Sequence, residues 1–348
     1  MKNNSKILMI GPDPDSFGGI SSVIKLYQGS FDNVMFLSSC KNGNIISKIL
    51  FFGYFLLKYI LILFKNKSLR IIHIHVSTGA SLFRKSIAVN IAKLLNKKVI
   101  FNIHPARFNE FYKNSHPLIK AYIKNILDKS DLILILSEKI KIDLMNICPD
   151  GNFKVLYNPI TIKELKIKTS EDIKALFLGK LCRNKGVYDI IEAAKQVKSD
   201  NIKIYLYGDG DYKHFQKLIE SNNLQDKMFI SGWISGDKKE KIIETSDIFV
   251  LPSYTEGLPI SILEAMVNGL PIISTPVGGV PEAVIDEVNG FLIESGNYNA
   301  LADKIELLAN NKELRNKMGQ ESFNIAREKF DISVIVNQLK GIYEELLG

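Results

Sequence analysis

Residues 254–282 read YTEGLPISILEAMVNGLPIISTPVGGVPE and place Glu256 and Glu264 with seven residues between them. The residues Ile248–Pro252 just upstream, IFVLP, are a short apolar run of strand type, and after Pro259 the segment Ser261–Val267 has helical composition. This predicts a strand-to-helix junction at Glu256, with Glu264 one to two turns inside the helix. Backbone N–H groups of Gly257, Leu258 and Ile260 are predicted to point outward at that helix start, where unpaired donors and the helix dipole favour an anion such as a diphosphate. A carboxylate on each side of an anion site does not bind the anion itself. Both glutamates are instead suited to accept hydrogen bonds from hydroxyl groups of a ligand that also carries phosphate, as a nucleotide sugar does. On the two glutamates alone, a capped surface helix with solvated carboxylates explains the pattern equally well.

The glutamates come with Gly257, Pro259, Ala265, Gly269, Pro271 and the Gly278-Gly279 turn. Together these residues resemble the Glu-x7-Glu signature of glycosyltransferase family 4, the retaining group 1 glycosyltransferases. The resemblance implies an α/β chain of GT-B fold: two Rossmann-like, doubly wound domains facing a cleft, with a last helix crossing back to the first domain. It extends over essentially the whole chain and is specific from Gly179 to Gly290, looser before Val155.

Length and composition agree with two ordinary domains. The chain has 348 residues, of which 46% are hydrophobic and 24% charged, a globular balance. MKNNSKILMIG runs into a strand-like segment without a cleavage site, which leads to the expectation of a cytoplasmic protein. Cys40, Cys148 and Cys182 are far apart and lack metal-ligand spacing, so they read as reduced thiols. A net charge of +8 asks for an acidic partner. No helix-turn-helix, zinc-finger or RNP pattern accompanies the scattered lysines, so a nucleotide diphosphate and an anionic membrane are expected rather than nucleic acid.

In the first half, Lys6–Ile10 reads as a buried strand, followed by a loop that ends in Gly18-Gly19 before a helix through Tyr27. A glycine pair entering a helix lets backbone N–H groups approach a phosphate or sugar, although most such pairs are only turns. Neither this loop nor Gly208-Asp209-Gly210 has the Gly-x-Gly-x-x-Gly spacing of a dehydrogenase. After a strand near Val34–Leu37, residues 45–64, IISKILFFGYFLLKYILILF, form a nearly apolar stretch long enough to span a bilayer. Lys48 and Lys58 inside it, and the RIIHIHV strand directly after it, argue against a span. Lys41, Lys48, Lys58 and Lys65 fall on roughly a third of the helix circumference. Two readings therefore stand: an interfacial helix with a basic edge, or a core helix with a solvated edge. His73 and His75 alternate on the next strand and share one face, too few ligands for zinc without a third. The strand Val99–Ile103 ends in His104-Pro105-Ala106-Arg107-Phe108, at the carboxyl end where open parallel sheets bind ligands. A strand-to-helix step at Asp131–Leu136 follows, and Val155–Pro159, VLYNP, closes this half with an Asn-Pro turn of the kind found at the domain junction of the family it resembles.

A polar, lysine-rich linker over Thr161–Asp172 precedes a fresh alternation: strand Ala175–Leu178, helix Val187–Val197, strand Ile202–Tyr207, helix from Tyr212, strand Lys227–Ile230, and the opening stretch. The expected domains are residues 1–160 for the acceptor and 161–330 for the nucleotide sugar, with 331–348 as the returning helix. The loop GKLCRNKG at 179–186 puts basic residues at a strand's carboxyl end, well placed to neutralise a diphosphate, although a solvated charge cluster reads the same in isolation. The resemblance assigns Lys185 and a second cation to the diphosphate. The family has arginine where this chain has Lys180, so either Lys180 or Arg183 makes that second contact.

The implied activity is retaining transfer of a hexose or N-acetylhexosamine from a nucleoside-diphosphate sugar, a UDP-sugar foremost, to a saccharide. A lipid-linked acceptor in cell-surface polysaccharide assembly is suggested by the basic loop after His104 and the apolar helix before it. By the resemblance, Lys185, Glu256 and His104 are catalytic, while Gly18, Gly19, Lys180, Arg183, Lys185, Glu256, Gly257, Leu258 and Glu264 hold the donor. No cofactor or metal is expected; Asp13-Pro14-Asp15 reads as a turn. Residues 45–64 are expected to meet an anionic membrane, which would make the protein peripheral on the inner face of the cell membrane. A nucleotide-sugar 2-epimerase of the same fold is the alternative.

Overall fold

The computed structural model describes residues 5–16, 18–105, 107–165 and 172–348. Of the expected linker, residues 166–171 lie outside this description, as do Phe17 and Ala106 in the two loops singled out above. The chain divides into two units: Met1–Pro159 together with Ile332–Gly348, and Ile160–Asp331.

The first unit is built on six parallel strands, β1 (Ile7–Pro12), β2 (Val34–Cys40), β3 (Ile71–Val76), β4 (Lys98–Ile103), β5 (Leu132–Ile135) and β6 (Phe153–Val155), in the order β2-β1-β3-β4-β5-β6. Parallel neighbours need crossovers, and helices α1 (Gly19–Ser30), α2 (Ile45–Lys65), α3 (Ala80–Leu94), α4 (Phe108–Lys113), α5 (Pro117–Lys129) and α6 (Glu138–Met145) supply them. With both sheet faces covered, the strands are continuous apolar runs rather than alternating ones; every residue of β3 and β5 is buried. The final strand runs into the closing Val155–Pro159 segment, with Ile133 and Ile135 in register against Phe153 and Val155.

Helix α2 begins at an Asn44 cap that accepts from Ser47 N at 2.8 Å. It buries Phe55, Tyr59, Ile62 and Leu63. The Tyr59 hydroxyl donates to the Ala88 carbonyl of α3 at 3.0 Å, and the Phe55 and Tyr59 rings stack at 5.8 Å. On the opposite face Ile46, Leu50, Leu57 and Phe64 are each 66–70% exposed. Among the described residues this is the one helix long and apolar enough to cross a membrane by length and composition.

Inside the unit the two strand histidines and His104 form a buried stack. His73 and His75 pack at 4.5 Å between ring centroids, and His75 packs on His104 at 5.1 Å, where His75 Nδ1 meets His104 Nε2 at 2.8 Å. His73 Nδ1 meets the Tyr343 hydroxyl at 2.7 Å, and this contact fixes the last helix, α14 (Ile332–Leu347), to the first unit. Burial, reinforced by the charge of His104, drives His73 down to about 3; burial and the nearby Lys85 take His104 to about 3 as well.

The second unit holds β7 (Ile173–Leu178), β8 (Ile202–Tyr207), β9 (Met228–Ser231), β10 (Ile248–Leu251), β11 (Ile272–Ser274) and β12 (Gly290–Leu292), all parallel, in the order β12-β11-β10-β7-β8-β9. Its helices are α7 (Val187–Gln196), α8 (Tyr212–Ser221), α9 (Gly236–Glu244), α10 (Ile260–Met266), α11 (Val280–Ala283), α12 (Tyr298–Asn310) and α13 (Lys312–Ile325). The chain runs outward from β7 to β9, then returns to the other side of β7 with β10. The topological switch point therefore lies between β7 and β10, where crevices form at the carboxyl ends of such sheets. Gly208-Asp209-Gly210 serves packing here: a Cβ at Gly208 would overlap the Gly179 carbonyl, and Leu181 N donates to the Asp209 carbonyl at 2.6 Å.

The net positive charge belongs to the first unit alone. That unit has 23 basic and 11 acidic residues, or +12, against 22 and 26, or −4, in the second.

The histidine stack makes the fold acid-sensitive. In the unfolded chain a histidine titrates near 6.5, so the depressed folded values leave stability complete above about pH 6.5 and erode it as pH falls toward 3. Urea unfolding at pH 7.5, 6.5 and 5.5 is expected to show a loss of about 1 kcal/mol per buried histidine between pH 6.5 and 5.5. An unchanged unfolding free energy over that interval would mean the stack is not neutral and buried.

Candidate functional site at the switch point of the second unit

Two loops meet at this switch point, Gly179–Gly186 after β7 and Pro252–Pro259 after β10. The first tightens into a 3-10 turn at Arg183–Lys185 and ends at Gly186, whose φ of 73° is left-handed. A side chain at Gly186 would also run into the Pro252 carbonyl, so the position is closed to other residues twice over. Tyr254 N donates to the Asn184 carbonyl at 2.9 Å and locks the loops together.

The outcome of that locking is an ion pair. Lys185 Nζ donates to Glu256 Oε1, and the Ser253 hydroxyl donates to the same oxygen at 2.7 Å. Glu256 is 7% exposed and the Lys185 side chain 25%, so the pair sits at the rim of the core. Below the loop, a Cβ at Gly278, whose φ is 56°, would overlap the Glu256 carbonyl, and Gly279 N donates to the Gly257 carbonyl at 2.6 Å. The Gly278-Gly279 turn is thus the floor on which Glu256 and Gly257 rest.

Glu264 is the fifth residue of α10. Its Oε1 accepts from Lys239 Nζ of α9 at 2.5 Å, while Oε2 is buried with no partner among the described residues. Burial raises its carboxyl above the ordinary carboxylate range, and Lys239 opposes that rise without cancelling it. A desolvated, unused acceptor of this kind is completed by a hydroxyl donor.

Lys180 and Arg183 are exposed, and both stand on the same loop as Lys185. Arg183 lines an open pocket with Tyr188, Asp189 and Tyr254. The Tyr254 hydroxyl donates to Asp189 Oδ1 at 3.2 Å while Asp189 Oδ2 has no partner among the described residues; burial raises this carboxyl, and Tyr254 and Arg183 moderate it. Gly257 and Leu258 follow Glu256 directly, with Leu258 buried. The fold thus joins Lys185 to Glu256, with Lys180 and Arg183 on the loop of Lys185, Gly257 and Leu258 directly after Glu256, and Glu264 on α10, the helix that follows the Glu256 loop. His104, Gly18 and Gly19 belong to the first unit, Gly18 exposed at the start of α1 and His104 in the histidine stack. Asp13 and Asp15 form a turn closed by Ser16 N on the Asp13 carbonyl at 2.9 Å. Among the described residues no group of three or more His, Cys, Asp or Glu is arranged to hold a metal ion.

Sequence reading missed Ser253, Lys239, Asp189 and Tyr254. Ser253 directly precedes the quoted stretch and Tyr254 opens it, so both could have been drawn in, but Lys239 is one of three lysines in GDKKEK and nothing local marks it.

Residues 160–324 match the model of the family described as glycosyl transferases, group 1. An uncharacterized glycosyltransferase of Methanocaldococcus jannaschii is 30% identical over 271 residues, covering 72% of this chain and 69% of that protein. The chain is a group 1 glycosyltransferase. This glycosyltransferase is also 27% identical, over 82% of its length and 78% of the relative's, to the Escherichia coli UDP-Gal:alpha-D-GlcNAc-diphosphoundecaprenol alpha-1,3-galactosyltransferase. Its fold is GT-B: the structure of Anabaena HepE in complex with UDP matches with a TM-score of 0.79 over 98% of this chain and all of that one, at 17% identity.

Removing one member of the central pair tests its weight. Lys185→Met is expected to lower unfolding free energy by about 2 to 3 kcal/mol, less than for a fully buried pair because the ammonium is partly solvated. Adding Glu256→Gln should restore part of that loss. Strictly additive effects in urea unfolding of the single and double variants would show that the two side chains do not interact.

Proposed function

We propose that this enzyme transfers a hexose or N-acetylhexosamine from a UDP-sugar, with retention at the anomeric carbon, to a lipid-linked saccharide acceptor in cell-surface polysaccharide assembly. The observation that carries the donor assignment is the partly exposed Lys185, held by Glu256 on the loop before α10, together with the orphaned acceptor of Glu264 on α10 itself. As the bond from the anomeric carbon to the diphosphate breaks, negative charge grows on the leaving oxygens. Lys185 keeps two of its three N–H donors free of Glu256 for that charge, with Lys180 or Arg183 beside it. Glu256 then has two tasks, holding Lys185 extended and accepting from sugar hydroxyls. Glu264 Oε2 accepts from the ribose. The acceptor oxygen attacks from the face the diphosphate leaves, and its proton passes to the departing phosphate, so no side-chain nucleophile and no divalent cation is required. His104 of the first unit, kept neutral, is assigned to a sugar hydroxyl, and Gly18 and Gly19 to close backbone contact with substrate. HepE has been crystallised with UDP, and the Escherichia coli relative is named for a UDP-sugar donor and a diphosphoundecaprenol acceptor; both support this choice of substrates.

Acceptors of that kind sit in a membrane, and α2 offers a surface for one. Its outward face carries Ile46, Ile49, Leu50, Tyr54, Leu57, Leu61 and Phe64, all more than half exposed. Lys58 lies over the Tyr54 ring at 5.6 Å, and with Lys48 and Lys65 it has no ion-pair partner among the described residues. Charge supports an anionic bilayer as the occupant: between Asp32 and Glu110 the sequence has twelve basic residues and no acidic one. The protein is accordingly assigned to the cytoplasmic face of the cell membrane, peripherally bound.

Glu264→Ala is expected to weaken UDP binding by roughly 1 to 3 kcal/mol in calorimetry, since ribose hydroxyls lose their acceptor, and to slow sugar transfer to a diphosphate-lipid saccharide accordingly. Unchanged affinity removes Glu264 from the donor site. Donor consumed into an epimeric nucleotide sugar with no acceptor present would instead make the enzyme an epimerase.

Liposome co-sedimentation checks the membrane surface. Binding is expected with anionic but not neutral vesicles, falling with salt and lost when Lys48, Lys58 and Lys65 are changed to glutamate, because each lysine contributes about 1 kcal/mol near the surface. No sedimentation with anionic vesicles at low salt would leave α2 an ordinary surface helix.

A further inference from the structure

Lys85 stands in the second turn of α3 and is only 4% exposed, yet it has no hydrogen-bond or carboxylate partner among the described residues. Long helical side chains lean toward the helix N-terminus, which here follows the carboxyl end of β3. The groups that feel its charge are Arg84 beside it, Cys40 at the end of β2, His75 on β3 and His104 after β4. The ammonium therefore lies at the carboxyl edge of the first sheet, where doubly wound domains take ligands. Burial is the main cause that lowers this lysine to about 7, with Arg84 adding to it.

A lysine this buried normally finds a carboxylate. None is offered. Of the elements packed on α3, the residues of β3, β4 and α2 include no acid, and the one acid of α5, Asp128, is already bound by Lys124 and Cys148. Near β2, Asp13 is paired with Lys41 at 3.4 Å. His75, one of the groups that feel the Lys85 charge, has its Nε2 buried without a partner among the described residues. An unpaired ammonium and a neighbouring guanidinium suit an anion that the chain itself does not supply.

Resting on the acceptor reading above, we propose that Lys85 is the cationic centre of a second, acceptor-side anion site, which holds the diphosphate of a lipid-linked acceptor. Lysine binds phosphate as a point charge, and Arg84 suits a ligand with more than one negative charge. The site's location favours a lipid source over a free one. Helix α3 packs against α2, the helix whose outer face is exposed and apolar, and the diphosphate of a membrane-embedded lipid lies at headgroup depth.

Calorimetry on the purified full chain with geranyl diphosphate, UDP and inorganic phosphate tests this. Lys85→Met is expected to weaken geranyl diphosphate binding by at least about tenfold and leave UDP affinity within about twofold, because a cation is lost from one site only. Lys85→Met should also melt no lower than wild type, since it removes an unpaired buried charge. Should that variant fail to fold, the wild type still decides: the Lys85 ε-methylene resonance is expected to shift on adding geranyl diphosphate and not on adding UDP. Equal losses for UDP would assign Lys85 to the donor, and free phosphate binding as tightly as geranyl diphosphate would remove the lipid. No geranyl diphosphate binding by wild type, or no change in the variant, would make Lys85 structural. UDP affinity and sugar transfer are read separately, so failure here leaves the donor reading standing.

Discussion

The ion pair between Lys185 and Glu256 is the constraint on which the second unit's crevice depends. It joins residues 71 positions apart, one from each side of the switch point, and Ser253 adds a second donor to the shared oxygen. A carboxylate this buried needs a cation and hydrogen bonds to keep its charge, and a lysine on a short turn needs an anchor to stay extended. Each supplies what the other lacks. In the proposed reaction this makes the pair a preset device: the cation is in place before any ligand arrives, and no reorganisation is left for the moment when phosphate charge grows.

Glycine makes that pairing sterically attainable. Gly186 turns left-handed against the Pro252 carbonyl, Gly278 lies against the Glu256 carbonyl, and Gly208 lies against the Gly179 carbonyl. Three backbone-on-backbone contacts bring the loops after β7, β8, β10 and β11 into one layer. Each requires the absence of a Cβ, and Gly186 and Gly278 also need the left-handed φ that glycine adopts freely. The same glycines that resemble a family signature are thus there for a packing reason that can be stated residue by residue.

The two units divide the electrostatic work. The second is net negative yet concentrates Lys180, Arg183 and Lys185 on one loop, so its positive potential is local to the crevice. The first is strongly positive, and its charge is spread over α2, α3 and their connections, with a buried neutral histidine stack beneath. A focused cation cluster suits a small phosphorylated donor, and a broad basic surface beside an apolar helix face suits a lipid surface.

Much of the architecture was readable from the chain because it is written in local patterns. Apolar runs with turn signals located the parallel strands, and the Glu-x7-Glu string with its glycines located the crevice, since periodicity and glycine spacing are properties of neighbouring residues. Pairings between distant residues were not readable in this way. The sequence assigned Lys185 to phosphate and Glu256 to sugar, but that the two hold each other follows only from the order β10-β7 in the sheet. Glu264 was named, whereas its partner Lys239 was one lysine among several on an exposed helix. Residues 45–64 were equally an interfacial or a core helix by composition, and the choice of which four side chains face inward was made by β2 and α3. Lys85 is the sharpest case. As a letter in SLFRKSIAV it is an ordinary helical lysine; what buries it, and leaves it without a carboxylate, is the set of elements packed around α3, and burial is a property of that packing rather than of any local pattern.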